Sequence, residues 1–125
     1  MQSLIQNISF KTNDNKLAEM FGDKAQKIAH KLEDDIKTTQ FRKFYEKVLE
    51  LNDKAQNLTS DEFSNQILPF VKMLNSKVQY SKTRKLSGDN FVILMEKSIK
   101  NIDSVEELQN FKYFLEAIIG FMPKK

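Results

Sequence analysis

Cysteine and tryptophan are absent from the 125 residues, histidine occurs once, proline twice and glycine three times. Without thiols there is no disulfide, thiolate zinc site or cysteine nucleophile to consider. Apolar residues make up 40% of the chain but never run uninterrupted for the roughly 18 positions that a membrane helix needs. The first residues also lack the basic start and apolar run of a secretory leader, so the sequence reads as a soluble, cytoplasmic protein. So few glycines and prolines, beside 30% charged residues, leave little material for tight turns between strands and favour helices joined by short polar links. The length is that of one ordinary domain, sufficient for a core without covalent staples.

Acid is scarce in one place. Between Glu62 and Asp89 there is no carboxylate, while Lys72, Lys77, Lys82, Arg84 and Lys85 fall inside that window. The rest of the chain is nearly balanced and the whole carries a formal charge of +3. Such asymmetry points to a polyanion or an acidic protein surface as partner.

What is present is helical periodicity. Leu17, Met20, Phe21, Ala25, Ile28 and Leu32 recur at steps close to three and four after the polar Thr12-Asn13-Asp14, cap candidates for a helix over about 15 to 35. A second helix opens after Thr38-Thr39 and turns Phe41, Phe44, Tyr45, Val48, Leu51 and Ala55 inward. Thr59-Ser60-Asp61-Glu62 reads as a capping box for the third, with Leu58 and Phe63 placed as a staple around it. Its face is Ile67, Phe70, Val71, Leu74 and Val78, and Pro69, which has no amide hydrogen to donate, predicts a kink or restart there. Phe91, Leu94, Met95, Ile99 and Ile102 mark a fourth helix. A second capping box, Ser104 to Glu107, opens a fifth whose stripe is Leu108, Phe111, Phe114, Leu115 and Ile118, ending near Gly120 and Pro123. The expected fold is therefore all-α, a bundle of about five helices forming one domain over 15–125. For residues 1–14, Leu4, Ile5, Ile8 and Phe10 suit a short helix, a docking arm or a frayed end equally.

Catalytic readings find no footing. His30 lies opposite the apolar stripe of the first helix, where a solvated surface histidine is the simpler reading, and no organised second group accompanies it. Glu33-Asp34-Asp35 are consecutive, so they fan out around a helix end instead of converging on a cation, and a solvated terminus accounts for them. No phosphate loop, serine or threonine nucleophile motif or zinc-protease signature occurs. The expectation is a protein without catalytic residues, metal, cofactor or small-molecule substrate.

Binding features say more. On the second helix Lys43, Lys47 and Lys54 lie within about 40° of one another, next to Arg42. These cations either meet phosphates or decorate a solvated face, with Arg42 bonded to Glu46. In the acid-free window Lys72, Asn75, Ser76 and Gln79 share a polar face that leads to Tyr80-Ser81-Lys82-Thr83-Arg84-Lys85, where an arginine can fork phosphate and a tyrosine can stack on a base. The candidate RNA-binding set is Arg42, Lys43, Lys47, Lys54, Lys72, Lys77, Lys82, Arg84 and Lys85. The apolar arc of the fifth helix spans nearly half its circumference. Either that helix is sunk in its own bundle, or part of the arc, with Phe114 and Phe121 as candidates, faces another protein.

Three blocks carry a family resemblance. Thr39-Gln40-Phe41-Arg42-Lys43-Phe44-Tyr45 resembles the Thr-x-Gln-Ile-Arg-Lys-Phe-Tyr signature of the small subunit of the Csm complex, the type III-A CRISPR effector, with Phe41 in place of the usual aliphatic residue. Leu68-Pro69, Met73-Leu74, Lys77-Val78, Tyr80 and Arg84 resemble that family's Leu-Pro-x-x-x-Met-Leu segment, and Phe111-x-x-Phe114-x-Glu116-Ala117-Ile118 resembles its last helix. The resemblance covers about 38 to 121. It implies an all-α, non-catalytic subunit of an antiviral ribonucleoprotein, repeated along the assembly. Its partners would be guide RNA and target RNA, other Csm complex subunits and copies of itself, with the protein gripping RNA backbone and shape. Arg42 and Lys43 would then be held toward RNA by a helix that Phe41, Phe44 and Tyr45 fix in the core. The alternative is a helical protein-interaction adaptor without RNA contact.

Overall fold

A computed structural model of the chain describes residues 1–122. The elements are α1 (Gln2–Ile5), a 3-10 turn (Thr12–Asp14), α2 (Leu17–Glu19), a π turn (Met20–Lys24), α3 (Ala25–Leu32), α4 (Thr38–Ala55), α5 (Ser60–Gln66), α6 (Leu68–Thr83), α7 (Asp89–Lys100) and α8 (Val105–Phe121). Among the described residues there is no strand, only an isolated antiparallel bridge between Ile36 and Ser87. The expected all-α bundle is present, and Pro123, expected just past the last helix, lies outside the described residues.

The first expected helix is divided by its own spacing. Met20 and Ala25 are both buried, yet a step of five is about 140° out of phase on an α-helix of 3.6 residues per turn. The wider π turn between them brings both residues to the same side. The cap expected from Thr12-Asn13-Asp14 is not made: those residues form the 3-10 turn, and α2 starts behind Lys16 with no side-chain cap. Thr59 does close a complete capping box, its Oγ1 accepting from the Glu62 amide at 3.2 Å while Glu62 Oε1 accepts from the Thr59 amide at 2.9 Å. Pro69 lies in the first turn of α6, where its missing amide costs nothing, so α5 stops and α6 restarts at Ile67. At Ser104 the box is displaced by one residue. Ser104 Oγ accepts from the Glu107 amide at 3.2 Å, but Glu107 Oε1 accepts from the Asp103 amide at 2.9 Å.

The core is organised around α8, which packs against α3 and α4, while α6 and α7 form an adjoining pair. Leu108, Phe111, Phe114, Leu115 and Ile118 are all fully buried. That part of the apolar arc of α8 is consumed inside the molecule, where the N-terminal arm covers one side of it, while Phe121 at the far end stays exposed. Phe10 meets Phe111 edge-on at 5.4 Å between centroids and Phe114 at 5.8 Å. The arm backbone is fastened as well: Asn110 Nδ2 donates to the Phe10 carbonyl at 2.7 Å, and the Thr12 amide donates to Glu106 Oε1 at 2.8 Å. Phe114 is therefore a core residue with 0% exposure. Its candidacy as an intermolecular contact is corrected, because Phe10 already occupies the position a partner would take.

Candidate nucleic-acid interface

Two loops distant in sequence meet at one end of the bundle. Gly88 is the N-cap of α7 and has no side chain to offer, so Asp35 supplies the cap from the other loop. Its Oδ1 accepts from the Asn90 amide at 3.2 Å and its Oδ2 from the Phe91 amide at 2.8 Å. A Cβ on Gly88 would overlap this carboxylate, which is why glycine stands there. The Ile36–Ser87 bridge joins the same loops, and Ser81 Oγ donates to Ser87 Oγ at 3.0 Å in the interior. Asp35 is thus an internal cap and not part of a solvated acidic terminus, as the run Glu33-Asp34-Asp35 had suggested.

This junction brings the start of α4 and the end of α6 together. Thr38, Thr39 and Gln40 border a groove whose lining includes Lys85 and Leu86, with Glu33, Asp34 and Lys37 along its rim. Arg42 and Lys43 follow one turn further along α4. Both are exposed, and among the described residues neither has an ion-pair partner, Glu46 included. Behind them Phe41 and Phe44 lock α4 onto Phe91 of α7, at 5.6 and 5.0 Å between centroids. Phe41 is thus matched by an aromatic partner. Tyr45 turns its hydroxyl toward Glu116 of α8. Burial and then that carboxylate raise its pKa, because each disfavours a phenolate.

The remaining candidates divide by what already engages them. Lys47 and Lys54 share Glu50, at 3.5 and 3.1 Å, so that pair of cations adds only one net charge to the face. The hydrogen bond from Lys54, followed by the charge of Lys47, lowers the pKa of Glu50. Lys72 is part-buried and caps the end of α7, its Nζ donating to the carbonyls of Ile99 at 2.8 Å and Ile102 at 3.0 Å. It belongs to the fold before it belongs to any ligand. Lys82 pairs with Asp89 at 2.6 Å, and Arg84 Nη1 donates to the Tyr80 hydroxyl at 2.8 Å. Lys77 and Lys85 are exposed with no ion-pair partner among the described residues. Lys85 takes φ 62, the left-handed position of a Schellman ending in which its amide donates to the Lys82 carbonyl and that of Leu86 to Ser81, both at 2.9 Å.

Away from this end, Phe121 is 45% exposed at the tip of α8. It edges a shallow groove shared with Leu4, Lys27 and His30. His30 is a surface side chain with Nδ1 3.5 Å from Glu33 Oε2. Among the described residues no cluster of three or more histidine, cysteine, aspartate or glutamate side chains is placed to hold a metal ion, and no helix is long and apolar enough to cross a membrane.

A family model described as Csm2 Type III-A matches residues 15–122. No curated protein and no solved structure matches the chain.

Proposed function

The chain belongs to the Csm2 Type III-A family, small subunits of the type III-A CRISPR complex, and we propose that within that complex it is a non-catalytic element, repeated along the assembly in the cytoplasm, that holds guide and target RNA by the backbone. The observation that carries this reading is the pair Arg42 and Lys43. They are exposed, and unpaired among the described residues, on the first turns of a helix whose opposite face is bolted to Phe91 through Phe41 and Phe44. A surface cation costs little to leave free, and one on a rigid helix gives up side-chain but no backbone freedom on meeting a phosphate. Lys77 and Lys85 extend the free charge, and Lys82 and Arg84 add to it where their present partners release them.

Purified chain titrated with single-stranded RNA at several salt concentrations tests the reading. The double change Arg42→Ala with Lys43→Ala should weaken binding of unrelated sequences alike and make the slope of log K against log salt shallower by about 1.4, at roughly 0.7 per contact. An unchanged slope with an unchanged melt overturns it. The adaptor reading would then lead, since Phe121 and the apolar residues exposed on α6 offer area to another subunit.

A further inference from the structure

The outward face of α6 carries a feature that neutralising phosphates does not require. Phe70, Met73, Lys77, Tyr80 and Arg84 follow one another at steps of three and four, so they form one stripe along the helix. Tyr80 is the most exposed of its large hydrophobic members, at 61%. The ring is open but braced. Arg84 donates to its hydroxyl at 2.8 Å, and the guanidinium carbon stands 5.6 Å from the ring centroid. The turn beneath is fastened from inside, because Ser81 is buried against Ser87 and the Schellman bonds close the helix end directly after Arg84. A fraying last turn would swing both groups; this one presents them in a fixed relation.

We propose that Tyr80 is a stacking platform for an unpaired base, with Lys77 and Arg84, one turn to either side, meeting the flanking phosphates. The inference rests on the RNA reading above and narrows it. Backbone contact alone accepts a duplex, whereas a base lying on a side chain must be out of its pair. No carboxylate occurs between Glu62 and Asp89, and Asp89 is itself paired with Lys82, so α6 itself has no acidic side chain to repel a polyanion. The guanidinium stands over one side of the ring, and the rest of the ring is a flat, exposed surface that suits a nucleobase of any sequence. An acidic helix of a neighbouring protein would use Lys77 and Arg84 as point charges and would have no use for the brace.

Fluorescence anisotropy on the purified full chain, with a labelled oligoadenosine single strand, an abasic strand of equal length and a blunt RNA duplex, separates the possibilities. The parent chain should prefer the base-bearing strand to the abasic one. Tyr80→Ala should lower affinity for that strand by roughly 5- to 150-fold, leave the other two probes unaffected and leave the melt unchanged, whereas Tyr80→Phe should retain most of the affinity. Equal binding of base-bearing and abasic strands by the parent, with the salt dependence intact, overturns the platform and leaves backbone binding standing. Absence of salt-dependent binding to all three probes overturns both. A Tyr80→Ala protein that binds every probe as the parent does but fails to enter the Csm complex assigns this face to a protein neighbour and overturns the platform as well.

Discussion

Replacing Phe10 with alanine tests whether the N-terminal arm is part of the core or an accessory to it. The side chain is fully buried and in contact with two aromatic rings of α8, at 5.4 and 5.8 Å. Removing a buried phenyl ring costs about 3–5 kcal/mol in transfer free energy and residual cavity, and the lost ring contacts, one edge-on and one tilted, fall within that figure. The cavity cannot collapse easily, since Asn110 holds the Phe10 carbonyl and Glu106 the Thr12 amide on either side of the site. A domain of this size has roughly 5–15 kcal/mol in total, so the change removes a large share. For 125 residues the unfolding entropy near 60 °C is about 0.26 kcal/mol/K, and a loss of about 4 kcal/mol lowers Tm by about 15 °C. Circular dichroism melts of parent, Phe10→Ala and a chain lacking residues 1–11 measure this directly. The truncated chain should fall at least as far as the point variant. A shift of less than about 3 °C in both would mean that α8 packs without the arm, and the account of its apolar arc would be wrong.

The cap on α7 gives a double-mutant cycle. Gly88→Ala and Asp35→Ala should each cost about 1–2 kcal/mol in urea denaturation, and the pair should cost less than their sum, because the first acts by displacing the carboxylate that the second deletes; full additivity would disprove the close approach. Lys72→Met should lose about 1.5–3 kcal/mol of stability through the two uncapped carbonyls while leaving the salt slope of RNA binding unaltered; a shallower slope would return Lys72 to the phosphate-contacting set. Glu106 has its pKa lowered from the ordinary 4.5 by its hydrogen bonds from Thr12. A group with a lowered folded pKa stabilises the fold above its unfolded pKa and ceases to do so as pH falls through the folded value. The difference in Tm between parent and Glu106→Gln should therefore be present at neutral pH and vanish in acid well below 4.5, and a constant difference would mean that the carboxylate charge is irrelevant to the arm.

The helices, the Thr59 box and the restart at Pro69 were legible in the sequence because each depends on residues within four positions of one another. The arm, the Asp35 cap and the Lys72 cap were not. Phe10 meets α8 a hundred residues on, Asp35 reaches the start of α7 across 55, and Lys72 reaches its end across 27 to 30. A helical wheel shows which side of α8 is apolar but not what covers it, so the sequence left Phe114 open between core and interface, and the structure buries it. The π turn did leave a trace, the five-residue step between two apolar positions. Among the cations, the positions are plain in the sequence, but not that Glu50 ties up Lys47 and Lys54 while Arg42 and Lys43 have no ion-pair partner among the described residues.

The docking of Phe10 on α8 also constrains the order of events at synthesis. The segment around Phe10 leaves the ribosome a hundred residues before Asn110, and at about 5–20 residues per second that is a wait of roughly 5–20 s. During it Phe10 has no ring to pack against, and the inward faces of α3 and α4 that α8 will cover are open. The nascent chain therefore holds those apolar faces open until α8 is made, an interval in which a holding chaperone, or a neighbouring nascent copy, can act.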